Sequence, residues 1–179
     1  MPSYKGSTLR GGFGITFKHI VCTRDNKNCS ECILRESCLY SYIFETSPPK
    51  DTEIMRKYES IPHPFIIEPP IDEKRYYKEG EEIEFRLILI GNVIDYLPYF
   101  IYTFEELGKI GIGKERGKFT LQRVENTIES EKVYNCDSNK INSFRAEEID
   151  LFPTDFNQSD QDNKINNIRL CFQTPTRIY

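Results

Sequence analysis

Tryptophan is absent from this 179-residue chain, histidine and methionine occur only twice each, and no apolar run approaches the length of a membrane span. The most apolar stretch, 85–100, is interrupted by Arg86, Asn92 and Asp95, so the expected chain is soluble, with no membrane partner. A signal-peptide pattern is also missing: residues 1–10 are polar, and 11–21 contain Lys18 and His19 where a continuous apolar core would stand. A reducing, cytoplasmic setting follows as the expectation. An excess of positive charge is lacking too, with 24 basic against 28 acidic residues, which argues against a general nucleic-acid binder. The imbalance is uneven. Residues 1–50 carry seven basic and four acidic groups, whereas 125–179 carry six and ten, so acidity collects late in the chain.

What the chain does have is a compact set of cysteines. Cys22, Cys29, Cys32 and Cys38 follow a C-x6-C-x2-C-x5-C spacing that can bring four thiolates around one ion. Structural Zn2+ is the first expectation, with iron or an iron–sulfur cluster, disulfides and unliganded thiols as the other options. A reducing compartment favours metal over disulfides. A four-thiolate site is closed, so it would hold a small cysteine-rich lobe, residues 22–45, together and would not activate water. Cys136 and Cys171 stand apart and read as ordinary cysteines.

Periodicity supplies the frame. Ser7 or Thr8 is placed to cap a helix in which Leu9, Phe13, Phe17 and Ile20 or Val21 share one apolar face. Arg10 and Lys18 on that helix would reach a phosphate, and His19 is its one group that titrates near neutrality. Residues 39–45 are an aromatic continuation that packs the lobe onto the domain, and 46–60 are a polar connection. Prolines bracket 61–70 as a short edge strand or extended segment, holding His63 in a structural role. Ile83, Phe85, Leu87 and Leu89 alternate as a strand. Residues 92–107 have helical spacing, with Pro98 in the first turns and Gly108 as the stop. Residues 119–124 return as a strand, 125–167 form a polar excursion, and 168–178 resume a strand. This order predicts a single α+β domain with two helices against one face of an antiparallel sheet.

Between the second helix and its following strand, glycines at 108, 111, 113 and 117 are interleaved with Lys109, Lys114, Arg116 and Lys118, with Glu115 the one acid. Such a loop suits a tight turn, and its free amides and cations suit a phosphate backbone. It is not a nucleotide P-loop, since the Gly-Lys-Ser/Thr ending is missing.

These residues together carry a resemblance. Leu9-Arg-Gly-Gly-Phe-Gly14, the four cysteines followed by Tyr40 and Phe44, Pro62 to Pro70, Gly91 with Leu97-Pro98, Leu107-Gly108 with Gly111, Gly113 and Arg116, and Thr174-Pro-Thr-Arg177 occur in the order found in CRISPR precursor-RNA processing endoribonucleases of the RAMP superfamily. The similarity is to the N-terminal portion of the branch with a cysteine-rich N-terminal region. It implies a ferredoxin-like (RRM-like) fold, CRISPR repeat RNA as partner, and metal-independent cleavage in which a 2′-hydroxyl is the nucleophile. It also implies a C-terminal RAMP domain beyond this chain's last residue, without which the expected activity is binding more than cutting. By the same resemblance, Cys22, Cys29, Cys32 and Cys38 hold the metal, Gly111, Gly113 and Arg116 belong to the first-domain Gly-rich turn, and His19 is a positional candidate for catalysis. A competing expectation is a zinc-stabilised module that docks on a protein subunit of an RNA-guided effector complex.

Overall fold

The computed structural model describes residues 1–24, 28–46, 61–127, 130–144 and 146. The expected strand at 168–178, the Thr174 to Arg177 motif, Cys171 and most of the connection before Ile61 lie outside the described residues.

Helix α1, Gly6–Val21, forms where the apolar spacing places it, and buries Leu9, Phe13 and Phe17 on one stripe. Its start differs from the expectation. Lys5 is the N-cap residue and no side chain caps the helix, so neither Ser7 nor Thr8 has that role. The reason lies far along the chain. The Lys5 side chain is fully buried, and its ammonium donates to Asp72 Oδ1 at 2.6 Å and to the Ser3 and Asp72 carbonyls, which sets the chain direction before the first turn. Burial alone would discourage that charge; the Asp72 hydrogen bond and the adjacent Tyr77 ring outweigh it and hold the Lys5 pKa above its usual value.

Strands β1, Phe65–Glu68, and β2, Arg86–Leu89, pair antiparallel, with Phe65 opposite Leu89 and Glu68 opposite Arg86. The alternating pattern begins earlier, at Ile83, but only four residues of it find a partner, because β1 is itself bounded by Pro64 and Pro69. The segment expected as one helix is two: a 3-10 segment, Gly91–Tyr96, followed by α2, Leu97–Ile110, with Pro98 in its first turn where a missing N–H costs nothing. Gly108 does not stop α2. It is a packing glycine, since its carbonyl accepts from the Phe119 amide at 3.2 Å and a Cβ there would overlap the Phe119 carbonyl oxygen. The helix ends at Gly111, whose φ of +92° breaks it.

After the glycine-rich turn the strand is shorter than the expected 119–124: β3, Arg123–Glu125, pairs with β4, Lys132–Asn135, which pairs with β5, Lys140–Ile141, in a second antiparallel sheet. Among the described residues the strands therefore form two small sheets, not one. The architecture is α+β. Val133 and Tyr134, from the polar segment after 125, are core residues.

Phe13 is the centre of that core. Its ring lies 4.9–5.7 Å from those of Phe17, Phe65, Phe100 and Phe104, so α1, β1 and α2 meet on one aromatic cluster. Edge-to-face and offset ring pairs of this kind add about 0.5–1.5 kcal/mol each beyond their burial. Gly12 lets Leu107 of α2 approach α1 closely, and Ile43 and Phe44 anchor the cysteine segment to the same cluster. No helix among the described residues is long and apolar enough to cross a membrane.

Candidate functional site

The glycine-rich loop is a tight turn. Ile112 and Gly117 exchange backbone hydrogen bonds at 2.9 and 3.0 Å, and the Arg116 amide donates to the Gly113 carbonyl at 3.2 Å. The Gly111 amide closes the end of α2 on Leu107. That leaves the amides of Gly113, Lys114 and Glu115 at the tip with no backbone partner among the described residues. Lys114, Arg116 and Lys118 are all exposed and make no salt bridge to a described residue. Three cations against the single acid Glu115, with tip amides that have no backbone partner among the described residues, make a local anion-attracting surface on a chain that is acidic as a whole. Lys109 does not join them. It lies in the last turn of α2 and donates to Glu106 at 2.6 Å, a bond that raises its pKa.

Arg10 occupies a different surface. Its guanidinium stacks over Phe65 at 4.6 Å and reaches Phe44 at 5.9 Å, without a carboxylate partner among the described residues. Burial lowers its pKa, the cost of keeping an unpaired cation against an apolar face. Arg10 lines a groove of about 510 Å3 together with Tyr4, Ser7, Pro62 and His63, at the start of α1, where no acid occupies the first turn. Residues 10 and 12 point about 200° apart around a helix. Gly12 faces Leu107 and Ile112, so Arg10 and the glycine-rich turn flank α1 and do not share one face.

Lys18 lies two turns further on, roughly 12 Å along the axis from Arg10. Its ammonium donates to Cys29 Sγ at 3.3 Å and sits 4.7 Å from the centre of the Tyr40 ring. The Cys29 hydrogen bond is the main reason its pKa is raised, against opposing burial. It is thus committed to the cysteine segment. His19 is exposed in the last turn of α1, and no described group bonds to it. His63 is the structural histidine: Nδ1 lies 3.1 Å from the Ile43 carbonyl, and its ring packs beside Phe44 and Phe65.

The four cysteines form no disulfide among the described residues and are half-buried. Two 3-10 turns, Cys29–Glu31 and Arg35–Ser37, shape the segment between them, the first capped by the Asn28 side chain on the Ser30 amide. Cys22 Sγ donates to the Arg24 carbonyl at 3.1 Å. Among the described residues no three Cys, His, Asp or Glu side chains converge closely enough to hold a metal ion. The donor set suits zinc by its chemistry, and Lys18 beside Cys29 suits a thiolate, but the thiols are not gathered to one point.

Two clusters had no counterpart in the sequence reading. One is Lys5 with Asp72 and Tyr77, described above. In the other, the buried Tyr134 hydroxyl donates to Glu105 of α2 in a short hydrogen bond, and this bond, with burial, pushes the Tyr134 pKa up to about 12. Neither leaves a periodic trace, because the partners are 67 and 29 residues apart.

An α+β domain in which a helix feeds a basic, glycine-closed turn is the class these features define. Residues 1–146 match the AF_1859_N family, an N-terminal domain, and the chain belongs to that family. It is also 24% identical over 149 residues to an uncharacterized protein of Archaeoglobus fulgidus, a match that covers 83% of this chain and 49% of that protein. The chain thus spans about half the length of the curated relative it matches. No solved structure matches it.

Proposed function

We propose that this chain is the N-terminal RNA-binding portion of a metal-independent endoribonuclease that processes CRISPR precursor RNA, as its resemblance to RAMP-superfamily enzymes implies. The observation that carries the reading is the 112–117 turn and its flank, where Lys114, Arg116 and Lys118 are exposed and make no salt bridge to a described residue, beside tip amides with no backbone partner among the described residues. Phosphate contacts position a nucleic acid without reading its sequence, and cations without internal carboxylate partners are the ones free to make them. Arg10, stacked on Phe65, offers a second contact in its own groove, where a base or a phosphate can meet the guanidinium. The order α1, β1, β2, α2, β3 is the part of a ferredoxin-like order that the described residues contain, although β3 pairs in a separate sheet from β1 and β2. A structural zinc ion held by Cys22, Cys29, Cys32 and Cys38 would fix the cysteine lobe against Tyr40 and Phe44. Cleavage belongs to the whole protein: His19 is solvent-facing and has no partner here to orient it, so any role for it needs groups from outside the described residues.

The test is a titration of fluorescent CRISPR-repeat RNA at several salt concentrations, with cutting followed in the same samples without added divalent ion. Affinity should fall steeply with salt. Replacing Lys114, Arg116 and Lys118 together by alanine should reduce the slope of log K against log salt by roughly 2, at about 0.7–0.9 per phosphate contact. Salt-insensitive binding, or a slope unchanged in the triple variant, would overturn the assignment.

A further inference from the structure

The groove that Arg10 lines has the size and make-up of a small-molecule site. Its volume of about 510 Å3 falls among ligand pockets, which run from about 300 to 1,000 Å3. Pro62 and strand β1 make it mostly apolar, with Tyr4, Ser7, Arg10 and His63 as its few polar groups. Each of these is placed by a local contact. Gly6 has no side chain where a Cβ would meet the Tyr4 hydroxyl at 2.5 Å, so the Tyr4 ring lies against the start of α1 as part of the wall. The Arg10 guanidinium, 4.6 Å from the centre of the Phe65 ring, has one face taken by stacking, which leaves its N–H edge for a ligand. His63 Nδ1 lies 3.1 Å from the Ile43 carbonyl; a carbonyl only accepts, so Nδ1 carries the proton and Nε2 of the neutral ring is an acceptor.

Charge and shape select the occupant. Arg10 is the one permanent charge among the lining residues, no acid lines the groove, and the first turn of α1 has none. Glu68, at the end of β1, is bonded to Arg86 at 3.3 Å. A fitting ligand is therefore anionic, has a flat apolar part for the Tyr4 and Pro62 wall, and offers a hydrogen to His63. Inorganic phosphate meets the first requirement and lacks the second. A nucleotide meets all three: a phosphate for the guanidinium fork, a base for the aromatic and apolar wall, and sugar hydroxyls for Nε2.

We infer that this groove is a slot for a single nucleotide, with the phosphate on Arg10 and the base against Tyr4 and Pro62. That the nucleotide is an unpaired residue of an RNA rests on the proposed function; a free nucleoside monophosphate has the same chemistry, and the experiment separates the two sources. The slot and the 112–117 turn flank α1 on different faces, so each is tested without the other.

The experiment is an NMR titration of the isotope-labelled full chain with AMP, following the amides of Ser7, Ile66 and Ile67, with adenosine and ribose 5-phosphate as controls. Saturable shifts at those amides are expected, with a Kd of about 1 mM or below. Adenosine, which lacks the phosphate, and ribose 5-phosphate, which lacks the base, should each bind about fivefold or more weakly. Arg10→Gln should weaken AMP about tenfold or more. Ser7→Glu should weaken it about threefold or more; an acid at that exposed first-turn position favours the helix, so the loss cannot come from unfolding. No saturable shift up to roughly 10 mM AMP, either control binding as tightly as AMP, or AMP affinity unchanged in both variants would overturn the proposal. Displacement of fluorescent repeat RNA by AMP, with weaker RNA binding by Arg10→Gln, assigns the slot to RNA. AMP binding without displacement assigns it to a free nucleotide and removes it from the RNA interface. AMP binding by a chain that binds no RNA overturns the RNA reading and keeps the slot, whereas salt-dependent RNA binding through the 112–117 turn without AMP binding overturns the slot alone.

Discussion

Replacing Gly111 by alanine tests whether the geometry of the glycine-rich turn, as well as its charge, presents the cations. Gly111 has φ +92°, where a residue with a Cβ is strained by about 1–3 kcal/mol. The new Cβ would also overlap the Arg116 carbonyl oxygen and lie 2.6 Å from its carbon. Those are backbone atoms, which cannot swing aside as the end of a side chain can, so the turn must open. Opening it forfeits the reciprocal Ile112–Gly117 pair, at about 1 kcal/mol net for each bond. The costs partly replace one another, since an opened turn relieves the clash, and the expected loss is about 2–4 kcal/mol. Urea unfolding reads this as a lower midpoint at constant m; with m of about 2 kcal/mol/M the shift is about 1–2 M. Gly11→Ala is the control of opposite sign. Gly11 is an exposed interior position of α1 with open space around its would-be Cβ, and alanine there should add about 0.5–1 kcal/mol. RNA affinity of Gly111→Ala should fall although every cation remains. A Gly111→Ala midpoint matching the parent's within about 0.5 kcal/mol would refute the reasoning, as would equal destabilisation by Gly11→Ala.

Three further outcomes follow from the contacts. Tyr134→Phe deletes the hydroxyl bonded to Glu105 and should cost about 1–2 kcal/mol; because the folded-state pKa is raised to about 12, the hydroxyl's contribution is full below the ordinary tyrosine value and lost as pH climbs toward 12, so the parent and variant unfolding curves should converge in strong alkali. The Lys5–Asp72 pair sets two edges. Asp72 titrates below its usual 3.8 and Lys5 above its usual 10.5, so the urea-midpoint difference between the parent and Asp72→Asn should persist at neutral pH and vanish as pH falls below 3.8. If the four cysteines hold zinc, purified chain should carry one zinc per molecule by elemental analysis, chelation should lower the thermal midpoint, and Cys32→Ser should abolish both the metal and the chelator effect; metal content unaltered by Cys32→Ser would remove zinc from the lobe.

The parts of the fold legible in the sequence are those that depend on a single face of a single element. Leu9, Phe13 and Phe17 mark α1, and Leu97, Ile101 and Phe104 mark α2, because burial repeats with the helical period. Ends were less legible, because they depend on distant partners. The start of α1 is fixed by Asp72, and the end of α2 runs past Gly108 because the Phe119 backbone packs against it. Strand lengths failed for a similar reason: Ile83 and Phe85 alternate as well as Leu87 and Leu89, but a ladder extends only where the opposite strand exists, and β1 stops before Pro69. Val133 and Tyr134 sit in a segment too polar to show a pattern; the bond from Tyr134 to Glu105 ties them to the core.

The same division applies to the site. Clustering of cations around glycines pointed to the turn, and Lys114, Arg116 and Lys118 do stand out on it; Lys109 was separable in principle, since Glu106 lies three residues before it on a helix. Arg10 and Lys18 looked like one phosphate-reaching pair, but one stacks on Phe65 and the other is tied to Cys29, so the helix divides them between a groove and the cysteine segment. The tyrosines had a visible spacing of three, at 96, 99 and 102, which by itself fits either a core stripe or an exposed one. Burial settles which, and with it the meaning of the net charge. α2 separates two kinds of surface: tyrosines at 96, 99 and 102 along its exposed side, and at its C-terminal end a turn whose cations make no salt bridge to a described residue.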